Sequence, residues 1–125
     1  MAEMLGNDPT AAWLGAELVS TDPVQVAMTV RDEHTNFYGT THGGVVFTLA
    51  DVGMSLVSNA ETTSLAINAQ VTLSGASRPG DRLVATIERV SASRRIASYR
   101  GDVEGPGGVI ASFTGTCYRP QPSSS

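Results

Sequence analysis

The chain has 125 residues, 41% of them hydrophobic and only 16% charged, and its formal net charge is −4. That length fits one domain with a real core, and a charged fraction well under the usual quarter points to a surface covered in an oligomer. All eight basic residues are Arg and there is one cysteine, Cys117. A broad basic face for nucleic acid is therefore excluded, as are an internal disulfide and a cysteine zinc cage within one chain.

No basic segment followed by an apolar stretch opens the sequence, and no apolar run approaches the ~18–20 residues of a membrane span. The expectation is a soluble, cytoplasmic protein with no membrane partner. In chain order, Asp8 caps a short helix with Pro9 at its first position and Gly15 at its stop. Glu17–Ser20 reads as a short strand. After the Thr21-Asp22-Pro23 turn, Val24, Val26, Met28 and Val30 alternate with Gln25, Ala27 and Thr29 as a half-buried strand. The run from Gly43 to about Asn59 is too long for a strand and apolar on nearly every side, so it predicts a central helix held by packing rather than propensity. Four strands follow, over Ser64–Leu73, Arg82–Ser91, Arg95–Val103 and Val109–Tyr118, separated by turn signals such as Pro79-Gly80-Asp81 and Gly105-Pro106-Gly107-Gly108. The segment from Pro120 to Ser125 reads as a frayed, low-complexity tail. The fold class is α+β: one long helix against a mostly antiparallel sheet of about six strands. Such a sheet leaves edges uncovered, and dimerisation is the natural remedy.

The chemistry lies between Asn36 and Asp51. Asp51 is the one ionisable group within Val45–Val57, and a carboxylate on a buried helix costs several kcal/mol unless it is paired or used. Its bland alternative is a place at a gap in the apolar surface or beside an Arg. His42-Gly43-Gly44 stands at the helix start, where backbone N–H groups are free and the dipole is positive, so a carbonyl placed there would have a developing oxyanion stabilised. The bland alternative is a tight turn into the helix. His42 alone could be structural, and Asn36 a turn residue. His34 and His42 fit no common zinc spacing, so no metal is expected. There is no nucleophile elbow and, with no Lys, no phosphate-cradling loop of the G-x-x-x-x-G-K type. Gly43 and Asp51 are eight residues apart, about 12 Å along a helix. They can meet on one carbonyl only if they come from different subunits, which predicts a two-fold dimer with composite sites.

Asn36-x-x-Gly39-x-x-His42-Gly43-Gly44, followed by Phe47-x-Leu49-Ala50-Asp51, resembles the hot-dog-fold acyl-CoA thioesterases of the phenylacetate-degradation type. The resemblance runs over nearly the whole chain and implies a single hot-dog domain over residues 1–119, paired into dimers and commonly into homotetramers. It implies that Asp51 is the catalytic carboxylate, as nucleophile or general base, and that the Gly43 N–H polarises the thioester carbonyl. Asn36 and His42 match the polar pair near the thioester or the attacking water. Gly44, Phe37, Tyr38 and Ser64 are then expected at the substrate, with Leu49 and Val52 lining the acyl pocket. Arg78 and Arg82, with Arg94 and Arg95, are the cations available to the CoA phosphates. The implied substrate is an aryl- or medium-chain acyl-CoA, with phenylacetyl-CoA or hydroxyphenylacetyl-CoA favoured, and no cofactor is needed beyond the CoA of the substrate. The sequence departs from that family at Thr72-Leu73-Ser74-Gly75-Ala76, where many relatives carry a Phe-Leu-Arg-Pro-like run, and at Ala66, where some have a Ser or Thr that orients water. Two other readings of the fold are a hydratase or dehydratase acting on acyl thioesters, and a non-catalytic acyl-CoA-binding module.

Overall fold

A computed structural model describes residues 1–120. Apart from Pro120, the expected tail lies outside the described residues. Among the described residues, three α-helices, α1 (Ala2–Gly6), α2 (Pro9–Leu14) and α3 (Gly43–Asn59), and one 3-10 turn, Asp32–His34, accompany six strands: β1 (Glu17–Thr21), β2 (Val24–Thr29), β3 (Leu65–Leu73), β4 (Arg82–Ala92), β5 (Ile96–Gly105) and β6 (Gly108–Tyr118). The strands form one sheet in the order β1-β2-β4-β5-β6-β3, and every neighbouring pair is antiparallel.

The local signals explain most of these elements. Asp8 Oδ1 accepts from the N–H groups of Thr10 and Ala11 at 2.9 and 3.1 Å, and Gly15 ends α2 in the left-handed region at φ 69°. Val24, Val26 and Met28 of β2 are buried as the alternation predicts; on the other face Ala27 is buried as well, while Gln25 is partly covered and Thr29 exposed. The helix α1 was not expected; it carries no side-chain cap and no buried residue, and so leaves no periodic signal.

α3 lies across the sheet. Its residues Val46, Leu49, Ala50 and Met54 join Val26, Met28, Ala85, Ile87, Tyr99 and Phe113 in the core, with Phe47 edge-on to Phe113 at 5.9 Å. Each large aliphatic side chain removed from water contributes about 1.5–3 kcal/mol, which offsets the poor helix propensity of the β-branched residues. The helix is not apolar on every side, however. Gly44 and Ser55 are exposed, and Thr48, Asp51 and Asn59 are only partly covered; together they make a polar stripe along the side turned away from the sheet.

The two edge strands differ. β1 has five residues and a register shift between Leu18 and Ser20. β3 has nine residues and exposes Leu65, Ile67 and Leu73 at 56, 60 and 49%. Between them, β4 and β5 approach closely at Gly101, where an added Cβ would lie 2.2 Å from the Thr86 carbonyl oxygen. Backbone cannot swing aside as a side chain can, so Gly101→Ala should destabilise the fold by about 1–3 kcal/mol, read as a lower denaturation midpoint in urea. Among the described residues, no helix is long and apolar enough to cross a membrane.

Candidate active site

The start of α3 is held from two directions. The His42 N–H donates to the His34 carbonyl at 2.8 Å, and the Thr41 N–H donates to the Ser77 carbonyl at 2.9 Å. The Ser77 hydroxyl also donates to Thr41 Oγ1, both residues being buried. His42 is exposed and caps the helix: its Nδ1 accepts from the Gly44 N–H at 3.0 Å, which puts the proton of the neutral ring on Nε2. The N–H of Gly44 is thereby committed, and those of Val45 and Val46 return to the His42 carbonyl. The N–H of Gly43 has no acceptor among the described residues. A Cβ at Gly43 would stand 2.5 Å from Leu73 Cδ1, so the helix start rests on the C-terminal end of β3.

His34, the other histidine, is a packing residue. It is buried, its Nδ1 accepts from the Arg31 N–H at 2.9 Å, its Nε2 lies 3.2 Å from the Trp13 carbonyl, and the Trp13 ring stands edge-on to it. Asn36 closes the loop ahead of the helix. Its Oδ1 accepts from the N–H groups of Tyr38 and Thr40 at 2.9 and 3.3 Å, and its Nδ2 donates to Thr40 Oγ1 at 3.1 Å. That network presents Phe37 and Tyr38 to solvent, 89 and 78% exposed, with ring centroids 4.2 Å apart. Arg78 directly follows Ser77, beside the helix start; its N–H donates to Asp81 Oδ2 at 2.9 Å, and its guanidinium has no partner among the described residues. Arg82 begins β4 opposite Thr29, with its side chain exposed.

Asp51 sits two turns down α3. With Met54, Ser55, Ser58, Asn59, Ser64, Ala66 and Cys117 it lines a cavity of about 90 Å³. Burial raises the Asp51 carboxyl above its ordinary value, and the negative charge of Asp8 adds to the effect. Burial likewise pushes the Cys117 thiol up. Ser64, expected at the substrate, is buried just before β3 and ties that strand to the end of α3: its hydroxyl donates to the Ser58 carbonyl at 2.9 Å and its N–H to Asn59 Oδ1 at 2.9 Å.

One protomer thus gathers Asn36, Phe37, Tyr38, His42, Gly43 and Arg78 at the helix start, and Asp51 with Ser64 at the cavity, but it does not bring the two groups together. Leu49 and Val52, expected at the acyl pocket, are buried in the core. Ser55, Ser58, Asn59 and Cys117 were missed. The helical ones carried a signal, since they stand four, seven and eight residues beyond Asp51, the spacing of one helix face.

Residues 38–112 match the model of the thioesterase superfamily. The chain belongs to that superfamily. The fold aligns with the phenylacetic acid degradation protein PaaI of Thermus thermophilus, solved as a point mutant, at 35% identity and TM-score 0.86, over 90% of this chain and 99% of that one. It aligns with E. coli PaaI at 26% identity and TM-score 0.91, over 97 and 91% of the two chains. A hypothetical thioesterase protein of Streptococcus pneumoniae, solved with coenzyme A, aligns at 25% identity and TM-score 0.80, over 87 and 91%. The architecture is therefore the hot-dog thioesterase fold, and the chain is a thioester hydrolase of that superfamily.

Proposed function

We propose that this thioesterase hydrolyses aryl- or medium-chain acyl-CoA, with phenylacetyl-CoA or hydroxyphenylacetyl-CoA favoured, to the free acid and CoA at two sites shared between the subunits of a homodimer. One observation carries the reading. The helix start rests on Leu73 at one end of β3, while the Asp51 cavity is lined by Ser64 and Ala66 at the other end. Antiparallel pairing of two β3 edges about a two-fold through the middle of the strand sets Leu73 beside Leu65 of the partner subunit. The free Gly43 N–H then faces Asp51 of the partner subunit, and the exposed apolar side chains of β3 are covered. Two such dimers would make the homotetramer that the resemblance implies.

In this arrangement the thioester carbonyl accepts from the Gly43 N–H at the positive end of α3. Asp51 of the partner subunit either attacks the carbonyl carbon or takes a proton from water that does so. The C–S bond breaks, and CoA leaves as a thiolate that needs no strong general acid. Asn36 holds the loop that carries His42, and the exposed Nε2–H of His42 is available to the leaving sulfur. The Phe37–Tyr38 pair, carried to the same composite site, supplies flat apolar surface for an aryl group. The free Arg78 guanidinium stands beside the helix start as a contact for a CoA phosphate, and Arg82 is a second candidate. Likeness to PaaI and to a thioesterase solved with coenzyme A supports this substrate class. The reaction needs no cofactor.

Free CoA should appear from a panel of aryl- and aliphatic acyl-CoAs, with a protein-only blank for the Cys117 thiol. A change in enoyl absorbance without free CoA would favour the hydratase reading. Tight acyl-CoA binding without turnover would favour the binding module.

A further inference from the structure

His34 does more than pack. It stands at the base of the loop that leads into α3: its carbonyl accepts from the His42 N–H at 2.8 Å, and the next pair inward, Thr35 and Thr41, forms a single antiparallel bridge. The residue after His42 is Gly43, the first of the helix. The peptide that joins them is held by its carbonyl, which accepts from the N–H groups of Val45 and Val46 at 2.9 and 3.3 Å. In a trans peptide the N–H points opposite to that carbonyl, here out of the helix start. Where it points therefore depends on how His42 is fastened on its other side, and that fastening is the His34 carbonyl.

The His34 ring ties this carbonyl to the core. The ring is buried and both its nitrogens are engaged. Nδ1 accepts from the Arg31 N–H at 2.9 Å, so the neutral ring keeps its proton on Nε2, which faces the Trp13 carbonyl at 3.2 Å. The His34 N–H returns to the Arg31 carbonyl at 2.9 Å and closes the turn Asp32–His34 from the other direction. Trp13 lies in the last turn of α2, where carbonyls lack intrahelical donors, and Ala11 and Leu14 anchor α2 in the core. The exposed Arg31 guanidinium reaches the same carbonyl but is shared with Glu33. A chain of bonds thus runs from the core through the Trp13 carbonyl and the His34 ring and carbonyl to the His42 N–H, one residue short of Gly43.

We infer that His34 is a positioning residue for thioester hydrolysis, which aims the Gly43 N–H by fastening the start of α3 to α2. This rests on the reading above, in which that N–H polarises the thioester carbonyl. With both nitrogens spent, the His34 ring acts through His42 and takes no part in proton transfer. Charge on the carbonyl oxygen develops only in the transition state, so a misaimed donor costs kcat rather than KM.

Steady-state CoA release by His34→Leu and His34→Asn, each alone and combined with Gly43→Pro, tests it, with thermal midpoints measured alongside. Leu fills the site without either ring bond, and Asn keeps an acceptor where Nδ1 stood but falls short of the Trp13 carbonyl. Alone, kcat should fall about tenfold for Leu and about threefold for Asn with KM little changed, within the ~hundredfold that a misplacement of ~1 Å can cost. In the Gly43→Pro background, where the N–H is gone, neither substitution should lower kcat further. Equal losses in both backgrounds overturn the inference and leave the hydrolase reading intact, since a residue that only supports the fold costs the same with or without that donor. So does a wild-type kcat in the single variants, or a raised KM with unchanged kcat. Should the Leu chain not fold, the Asn chain alone decides by the same comparison. A wild type that releases no CoA from any acyl-CoA overturns the hydrolase reading and this inference with it.

Discussion

A Gly43→Pro chain should fold and assemble like the wild type and release CoA about a hundred- to a thousandfold more slowly, the usual cost of one lost oxyanion donor. Proline suits this position. It is the first residue of α3, where the N–H has no intrahelical acceptor, and His42 before it is already extended at φ −60° and ψ 133°. The ring carbon would meet Leu73 Cδ1, the far end of a flexible side chain that can turn away. The substitution therefore deletes one donor and little else. Circular dichroism and sedimentation check the fold and assembly, and a variant that keeps wild-type turnover would remove Gly43 from the mechanism.

Asp51→Asn should lose CoA release by about a hundredfold or more, since Asn neither takes a proton nor attacks. The same variant should be more stable than the wild type at neutral pH. Folding raises the Asp51 pKa, so its ionisation disfavours the folded state. The stability tied to the neutral carboxyl is complete below the unfolded value, near pH 4, and is lost as pH rises through the raised folded value. Asn keeps that stability at every pH. The gain in thermal midpoint should therefore be present at pH 7 and vanish at about pH 3. The acid limb of wild-type kcat/KM should lie above the ordinary Asp range. Refolding equal amounts of Gly43→Pro and Asp51→Asn chains together tests the shared site. Half the dimers are then mixed, each with one intact combination of helix start and carboxylate, so about a quarter of wild-type activity should return. No recovery would place both groups in one chain's own site.

Much of this was legible in the sequence because its cues are local. Asp8-Pro9 and Gly15 bound α2, and Pro79-Gly80 and Gly105–Gly108 separate strands, each by its own backbone chemistry. The length of Gly43–Asn59 sufficed to mark α3. The side of α3 left uncovered was harder to see. Gly44, Thr48, Asp51, Ser55 and Asn59 form its polar stripe, but they are diluted by the Val, Leu and Met residues between them. Ser64 illustrates a different limit: its hydroxyl and N–H close the end of α3 onto β3, an arrangement that depends on where the chain returns. Leu49 and Val52 were expected at the acyl pocket, whereas both are buried in the protomer's core, which depends on what packs against α3 rather than on local sequence.

The unlike edges of the sheet also limit growth. An edge that accepts a second chain can, if both sides of the protomer are equally receptive, go on adding chains into a filament. Here joining two β3 strands about a two-fold is self-complementary and leaves β1 at both outer ends. β1 is short, out of register at Leu18 and Ser20, and followed by Pro23, which has no N–H to offer a newcomer. With the proposed pairing, addition along the sheet would stop at two chains, a closed particle rather than a fibre.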